Sequence, residues 1–197
     1  MTDAASVVYL VRHGRTALNA RGQLRGRLDP PLDEFGAREA DALGRHFVGL
    51  DVASVVSSPL SRARQTAEAI GSACGLTVIL DERLIDRDYG AWAGSDADEL
   101  VRRFGALDHA PGVEPLEAVT GRAVAAIVAA EQIVWSGAAV VVAHDAVNRA
   151  VLAYLVPELG DVDSIPQRTG CWNRIERVDG SWRAPVIDAR PDGVGSP

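Results

Sequence analysis

The chain has 197 residues, a formal net charge of −7 and an apolar fraction of 47%, which is long enough for one full α/β core and short for two domains. All 20 basic residues are arginine and none is lysine, which excludes Schiff-base chemistry and a lysine-dependent phosphate loop. The acidic balance argues against nucleic acid as the main partner, and no apolar run approaches the ~20 residues that cross a bilayer. The opening residues carry no basic segment leading into an apolar core, which predicts a cytoplasmic protein.

Residues 7–11, Val-Val-Tyr-Leu-Val, are apolar and largely β-branched and predict a strand buried on both faces. The run stops at Arg12-His13-Gly14, so fixed polar groups stand at the sheet edge where open α/β folds bind ligands. Gly14 reads as the residue that lets the backbone approach that ligand. Arg15, Arg21, Arg25 and Arg27 follow, and no acid occurs from Ala4 to Leu28. This local reversal of sign predicts an anionic ligand. Residues 17–31 are polar and Gly-rich and read as a loop. Ala40, Leu43, Phe47 and Leu50 then recur at helical spacing, which predicts a helix over about 34–48, capped by Asp33 and with His46 on its surface.

Residues 52–56 predict a second strand, after which Ser58 suits a helix cap and Pro59 a first helical position. The helix face is Leu60, Ala63, Ala67, Ile70 and Cys74, with Gly75 as its stop. Arg62 lies in its first turn, where an arginine and free backbone N–H groups together suit an anion. Arg64 and Glu68 read as a surface pair. A third strand over 76–80 leads into a loop over 81–94 that carries Asp86, Asp88, Tyr89 and Trp92. A short helix over 96–104 and a loop with an exposed His109 make the segment around 95–112 a small lid rather than a domain.

From Leu116 the apolar period gives a long core-facing helix, and residues 138–143 a fourth strand ending at His144-Asp145. A helix over 146–156 follows, with Asp145 and Arg149 spaced to pair. Residues 171–178 and 181–186 flank Asp179-Gly180 as a hairpin, and the Pro- and Gly-rich tail from about 188 reads as flexible. Cys74 and Cys171 read as reduced core residues. The chain is therefore expected to be one domain with a mainly parallel sheet and helices on both faces.

Such a sheet brings Arg12-His13, residues 57–62, the Asp86 loop and His144 to one edge. Three readings are open. A metal site is disfavoured by two arginines beside the same histidines and by the lack of ligand spacing. A purely structural role suits His46 and His109 better than a pair of histidines at strand ends with matching arginines. In the third reading Arg12 and Arg62 hold a phosphate, His13 attacks phosphorus, His144 stabilises the developing charge and a carboxyl of the Asp86 loop handles protons.

These residues resemble the histidine phosphatase superfamily, the phosphoglycerate mutase-like proteins. The resemblance rests on Arg12-His13-Gly14 with Thr16, Asn19, Gly26, Asp29, Pro31-Leu32 and Gly36, and on Ser57-Ser58-Pro59-Leu60 with Arg62, Ala63, Gln65, Thr66 and Ala67. Leu84, Asp86, Tyr89-Gly90, Trp92 and Gly94 extend it, as does His144 after Val140-Val141-Val142-Ala143. It implies a three-layer α/β sandwich, no cofactor and no metal, and a small phosphate ester as partner. By resemblance His13 is the phosphorylated histidine. Arg12, Arg62 and His144 form the phosphate pocket, Asn19 assists, and the proton donor falls at Asp86, with Asp88 as its rival because glutamate is usual there. Arg15 stands in place of a usual Glu or Gln, and Asp145-Ala146 where Gly-Gly is common. Substrate contacts are expected from Gly14, Thr16, Asn19, Arg15 and Arg25, with Trp92 and residues 95–109 near the organic part. The short 95–112 segment, with Arg102-Arg103 at a different spacing from the mutases' arginine pair, favours hydrolysis over mutase activity. A phosphate-binding regulatory module with weak turnover is the remaining alternative.

Overall fold

In the structure, a computed structural model that describes residues 6–134 and 136–195, the first apolar run forms strand β1 (Ser6–Arg12) inside a six-stranded sheet. The other strands are β2 (Val52–Ser57), β3 (Val78–Leu80), β4 (Ala138–Ala143), β5 (Trp172–Val178) and β6 (Ser181–Ala189), in the order β3-β2-β4-β1-β5-β6. The first four are parallel to one another, and the β5–β6 hairpin joins antiparallel to β1. The helices are α1 (Ala17–Ala20), α2 (Glu34–Phe47), α3 (Ser61–Cys74), α4 (Ala97–Phe104), α5 (Leu116–Gln132) and α6 (Asp145–Leu155).

Successive strand residues point to opposite faces, and both faces are covered. Leu10 and Val141 pack with Val119 and Ile127 of α5 and with Val151 and Leu152 of α6. Val11 and Val142 pack with Leu43 and Phe47 of α2 and with Ala63, Ala67 and Ile70 of α3. Every residue of β4 is buried, and each fully buried valine contributes roughly 1.5–3 kcal/mol relative to exposure. The mainly parallel three-layer sandwich is the expected one. Its register sets the site. Arg12 pairs with Ala143, and Val142 with Ser57, so the residues after β1, β2 and β4 emerge at one level.

Local differences from the sequence expectation have local causes. The stretch read as a loop from residue 17 begins with α1, because Thr16 and Asn19 form a reciprocal capping box that satisfies the first free backbone groups. Ser58 does not cap α3. The cap position is Leu60, which makes no side-chain bond there, and Ser58 serves the site instead. His46 is half-buried and stacks on Trp172, with ring centroids 4.8 Å apart at 27°. The hairpin's second strand continues to Ala189, past the expected start of the tail, because Asp188 is buried and its carboxylate accepts from Arg168 N and Nε, each at 2.6 Å. Both cysteines are free thiols. No helix among the described residues is long and apolar enough to cross a membrane.

Candidate active site

His13 follows β1 directly and is fully buried. Its backbone N–H donates to Ala143 O at 3.1 Å, and its own carbonyl accepts from Gly170 N at 3.1 Å. The imidazole Nδ1 lies 2.6 Å from Gly14 O. A carbonyl only accepts, so Nδ1 carries the proton and Nε2 presents its lone pair. Nε2 in turn accepts from Arg62 Nε at 3.3 Å. Burial above all, then the charge of Arg62, His144, Arg12 and Arg25, holds this histidine well below the ordinary imidazole range. The neutral ring thus has the lone pair of Nε2 held in one direction.

Arg62 divides its donors among four acceptors. Besides His13 these are Leu28 O at 2.8 Å from NH1, and Gly26 O at 3.0 Å and Asp86 Oδ2 at 2.9 Å from NH2. Thr66 Oγ1, one turn along α3, donates to Arg62 O at 2.8 Å and accepts from Gly14 N at 3.1 Å. Asp86 is buried, accepts from Arg87 N through Oδ1 at 2.9 Å, and has Oδ2 3.8 Å from His144 Nδ1. Asp88 points elsewhere. Its side chain is 47% exposed, accepts from Gly90 N at 2.8 Å and faces Arg27. Of the two rival aspartates, only Asp86 touches the other site residues.

His144 stands at the N-cap position of α6, fully buried, with Nε2 2.8 Å from Ser58 Oγ. Burial, then Arg62, Arg25, Arg12 and Arg122, holds it well below the ordinary imidazole range. The His13 and His144 rings lie 5.1 Å apart. Arg12 is bonded to Gln167 O through NH1, which also lies 3.1 Å from Asp145 Oδ2. Gln167 sits in a buried amide network with Asn148 and Asn173, so the arginine's reach is fixed from behind. Among the buried nitrogens without a hydrogen-bond partner, three belong to residues of this group: Nε of Arg12, Nε of Arg25 and Nδ1 of His144.

The remaining expected contacts divide. Thr16 is buried and, with Asn19, shapes α1. Asn19 Oδ1 accepts from Thr16 N at 3.0 Å and Thr16 Oγ1 at 2.8 Å. Arg25 lines a cavity of about 410 Å³ that also touches Tyr89 and Asp145. Arg15 does not line it, contrary to expectation. Its guanidinium is 2.9 Å from Asp33 and lies over the Phe35 ring, because the cap of α2 attracts the charge. Gly14 is also explained differently, since a Cβ there would lie 2.4 Å from Gly36 O. The close approach is to α2 rather than to a ligand. Trp92 does not line the cavity but packs on Phe104 and donates to Pro111 O at 2.9 Å, which ties it to the 95–112 segment. Sequence reasoning missed Ser58, Thr66, Gln167 and Glu39 as supports. Buried Glu39 accepts from Arg15 N at 2.7 Å and Thr169 Oγ1 at 2.9 Å, clasping the loops on both sides of His13. Among the described residues no cluster of three or more His, Cys, Asp or Glu side chains is arranged to hold a metal ion.

The family described as the histidine phosphatase superfamily (branch 1) matches residues 8–188. The chain belongs to the histidine phosphatase superfamily. Within it, the chain is 30% identical over 178 residues to the uncharacterized phosphatase PhoE of Bacillus subtilis (strain 168), covering 90% of this chain and 92% of that protein. A mycobacterial glucosyl-3-phosphoglycerate phosphatase solved as a complex with VO3 superposes with a TM-score of 0.82 at 26% identity, over 93% of this chain and 99% of that one. The probable phosphoglycerate mutase GpmB of Yersinia pestis (strain Pestoides F) is 40% identical over 94 residues, 48% of this chain and 44% of that protein. The superfamily holds both phosphatases and mutases, and the relatives that match over nearly the whole chain support a phosphatase.

Proposed function

We propose that the protein is a metal-independent phosphomonoester hydrolase that acts on a small phosphorylated metabolite through a phosphohistidine at His13. The observation that carries this reading is the proton placement on His13, whose Nδ1–H donates to Gly14 O and leaves the Nε2 lone pair facing the guanidinium of Arg62. Arg12, Arg62 and Arg25, with the unpartnered Nδ1–H of His144, hold the phosphate oxygens. Cations where a metal would need anionic ligands argue for this charge arrangement in its place. Asn19, whose Oδ1 is held by Thr16, is assigned an assisting contact to the same ester.

In the first step the Nε2 lone pair forms the N–P bond as the P–O bond to the alcohol breaks, and Asp86 gives its proton to the leaving oxygen. In the second, the Asp86 carboxylate takes a proton from water. The resulting oxygen attacks phosphorus and the N–P bond returns its electrons to His13, releasing inorganic phosphate. Segment 95–112 covers the cavity as a small lid. Hydrolysis is favoured over mutase activity because Arg103 lies over Trp92 and Phe104 and neither it nor Arg102 lines the cavity.

Hydrolysis of an aryl phosphate in excess chelator, comparing the intact protein with His13→Ala, tests the reading. Activity that survives the chelator and vanishes in the variant is expected. A metal requirement, or turnover without His13, would overturn it.

A further inference from the structure

The cavity that Arg25 and Asp145 line, and that Asp145 joins to Arg12, has two kinds of wall. Leu24, Val101, Leu107, Leu116 and Val162 give apolar surface, and the charged groups are Arg25, Arg87, Arg149, Asp108, Asp145 and Asp163. Apart from Arg25, two arginines, Arg87 and Arg149, face three aspartates, so this wall is slightly negative although the end near Arg25 is cationic. The pairing is local. Arg87 is ion-paired with Asp108 and donates through Nε to Glu114 O at 2.8 Å. Arg149 donates through Nε to Asp145 Oδ1 at 2.5 Å and through NH1 to Asp163 O at 2.8 Å. Arg25 belongs to the phosphate end, since its Nε is unpartnered and its charge bears on both site histidines.

Asp145 joins the two regions. Its Oδ2 is 3.1 Å from Arg12 NH1, Oδ1 takes Arg149, and the side chain is 27% exposed toward the cavity it lines. Burial works against its charge, but Arg12 and Arg149 more than offset this and keep the carboxyl below its ordinary range. Building on the phosphatase reading, we propose that this cavity selects phosphomonoesters of uncharged, hydroxyl-bearing alcohols and rejects those with a second anionic group near the ester, with Asp145 as the residue that sets the preference. A hydroxyl donates to the Asp145 carboxylate and needs no counter-charge. A carboxylate or second phosphate there finds both cavity-wall arginines already paired and meets Asp145 at short range, where like charges repel strongly.

The test compares kcat/KM of the full chain on glycerol 3-phosphate and 3-phosphoglycerate, which differ only in a CH2OH against a carboxylate. The wild type is expected to prefer glycerol 3-phosphate at least tenfold. Asp145→Asn should bring the ratio toward one, chiefly by improving the phosphoglycerate, whereas Arg149→Gln, which strips Asp145 of its partner, should widen it. The two variants move the ratio in opposite directions, so misfolding of one leaves the other decisive. Equal rates, or a wild-type preference for the phosphoglycerate, would overturn the proposal, as would a ratio that neither folded variant shifts. Turnover of an aryl phosphate with neither three-carbon ester hydrolysed would sink this inference alone, while no aryl turnover would sink the phosphatase reading beneath it.

Discussion

Ser58 Oγ lies 2.8 Å from Nε2 of His144, and the serine is the donor. The carboxylate of Asp86 near Nδ1 favours the ring proton on that nitrogen, so Nε2 accepts the hydroxyl proton of Ser58. A neutral histidine that accepts at Nε2 must carry its proton at Nδ1, the buried nitrogen that has no partner and lies 3.8 Å from Asp86 Oδ2. In the proposed reaction the serine thus turns the Nδ1 donor of His144 toward the phosphate. Ser58→Ala frees the tautomer, and kcat/KM for an alkyl phosphate should fall about tenfold, equivalent to ~1.4 kcal/mol. Unchanged steady-state kinetics would mean that the tautomer is set otherwise.

Asp86 is assigned the proton that reaches the leaving oxygen. Asp86→Asn keeps the shape but accepts from only one of Arg62 and Arg87 and removes the charge that faces Arg62, so a stability loss of up to ~3–5 kcal/mol is expected and the rates are compared on folded protein. Hydrolysis of alkyl esters should drop by about 10²-fold or more, while activated aryl esters, whose leaving group needs little help, should lose far less. Equal losses on both substrates would remove Asp86 from this role.

The two buried histidines tie stability to pH. Both sit below the ordinary value of 6.5 because burial disfavours their charge. As pH falls through 6.5 the unfolded chain takes up protons that the folded chain refuses, so stability is full above that pH and declines below it. Between pH 7.5 and 5.5 each histidine should account for a loss on the order of 1 kcal/mol. Urea unfolding of wild type and His144→Asn at these two pH values reads the difference. Parallel losses in the two proteins would contradict the burial argument.

Two glycines offer opposite outcomes for the same substitution. A Cβ on Gly36 would lie 2.0 Å from Arg15 O, whereas one on Gly121, inside α5, meets nothing within 4 Å. Gly36→Ala should therefore cost about 1–3 kcal/mol or more through backbone displacement and reduce activity. Gly121→Ala should instead stabilise by roughly 0.5–1 kcal/mol through helix propensity. Thermal melts of both variants suffice, and a neutral Gly36→Ala would mean that the loop and helix yield more readily than their contact implies.

The frame of the site was legible because apolar runs end where its residues begin. Arg12 and His13 stop one strand, His144 stops another, and Arg62 opens the helix after a third. Periodicity reports these endings directly. It does not report what approaches from elsewhere in the chain. Gly14 looked like room for a ligand because any close backbone contact calls for the same residue, and only the packing of α2 separates the cases. Ser58 carries the chemistry of a helix cap, and its use depends on His144 arriving from 86 positions away. Arg15 belongs to a basic run, yet Asp33 and Phe35 draw it aside. The ambiguity between Asp86 and Asp88 was one of direction, which alternates too finely in a loop for sequence spacing to resolve.

Arg62 holds His13 through Nε and Asp86 through NH2, two nitrogens of one rigid plane. The interval between His13 and Asp86 is consequently gauged by the width of a single guanidinium rather than by the loops that carry them. An ammonium group has no such width. In a chain that contains no lysine, the exclusive use of arginine takes on a geometric meaning at this position, because here the cation serves as a template as well as a charge.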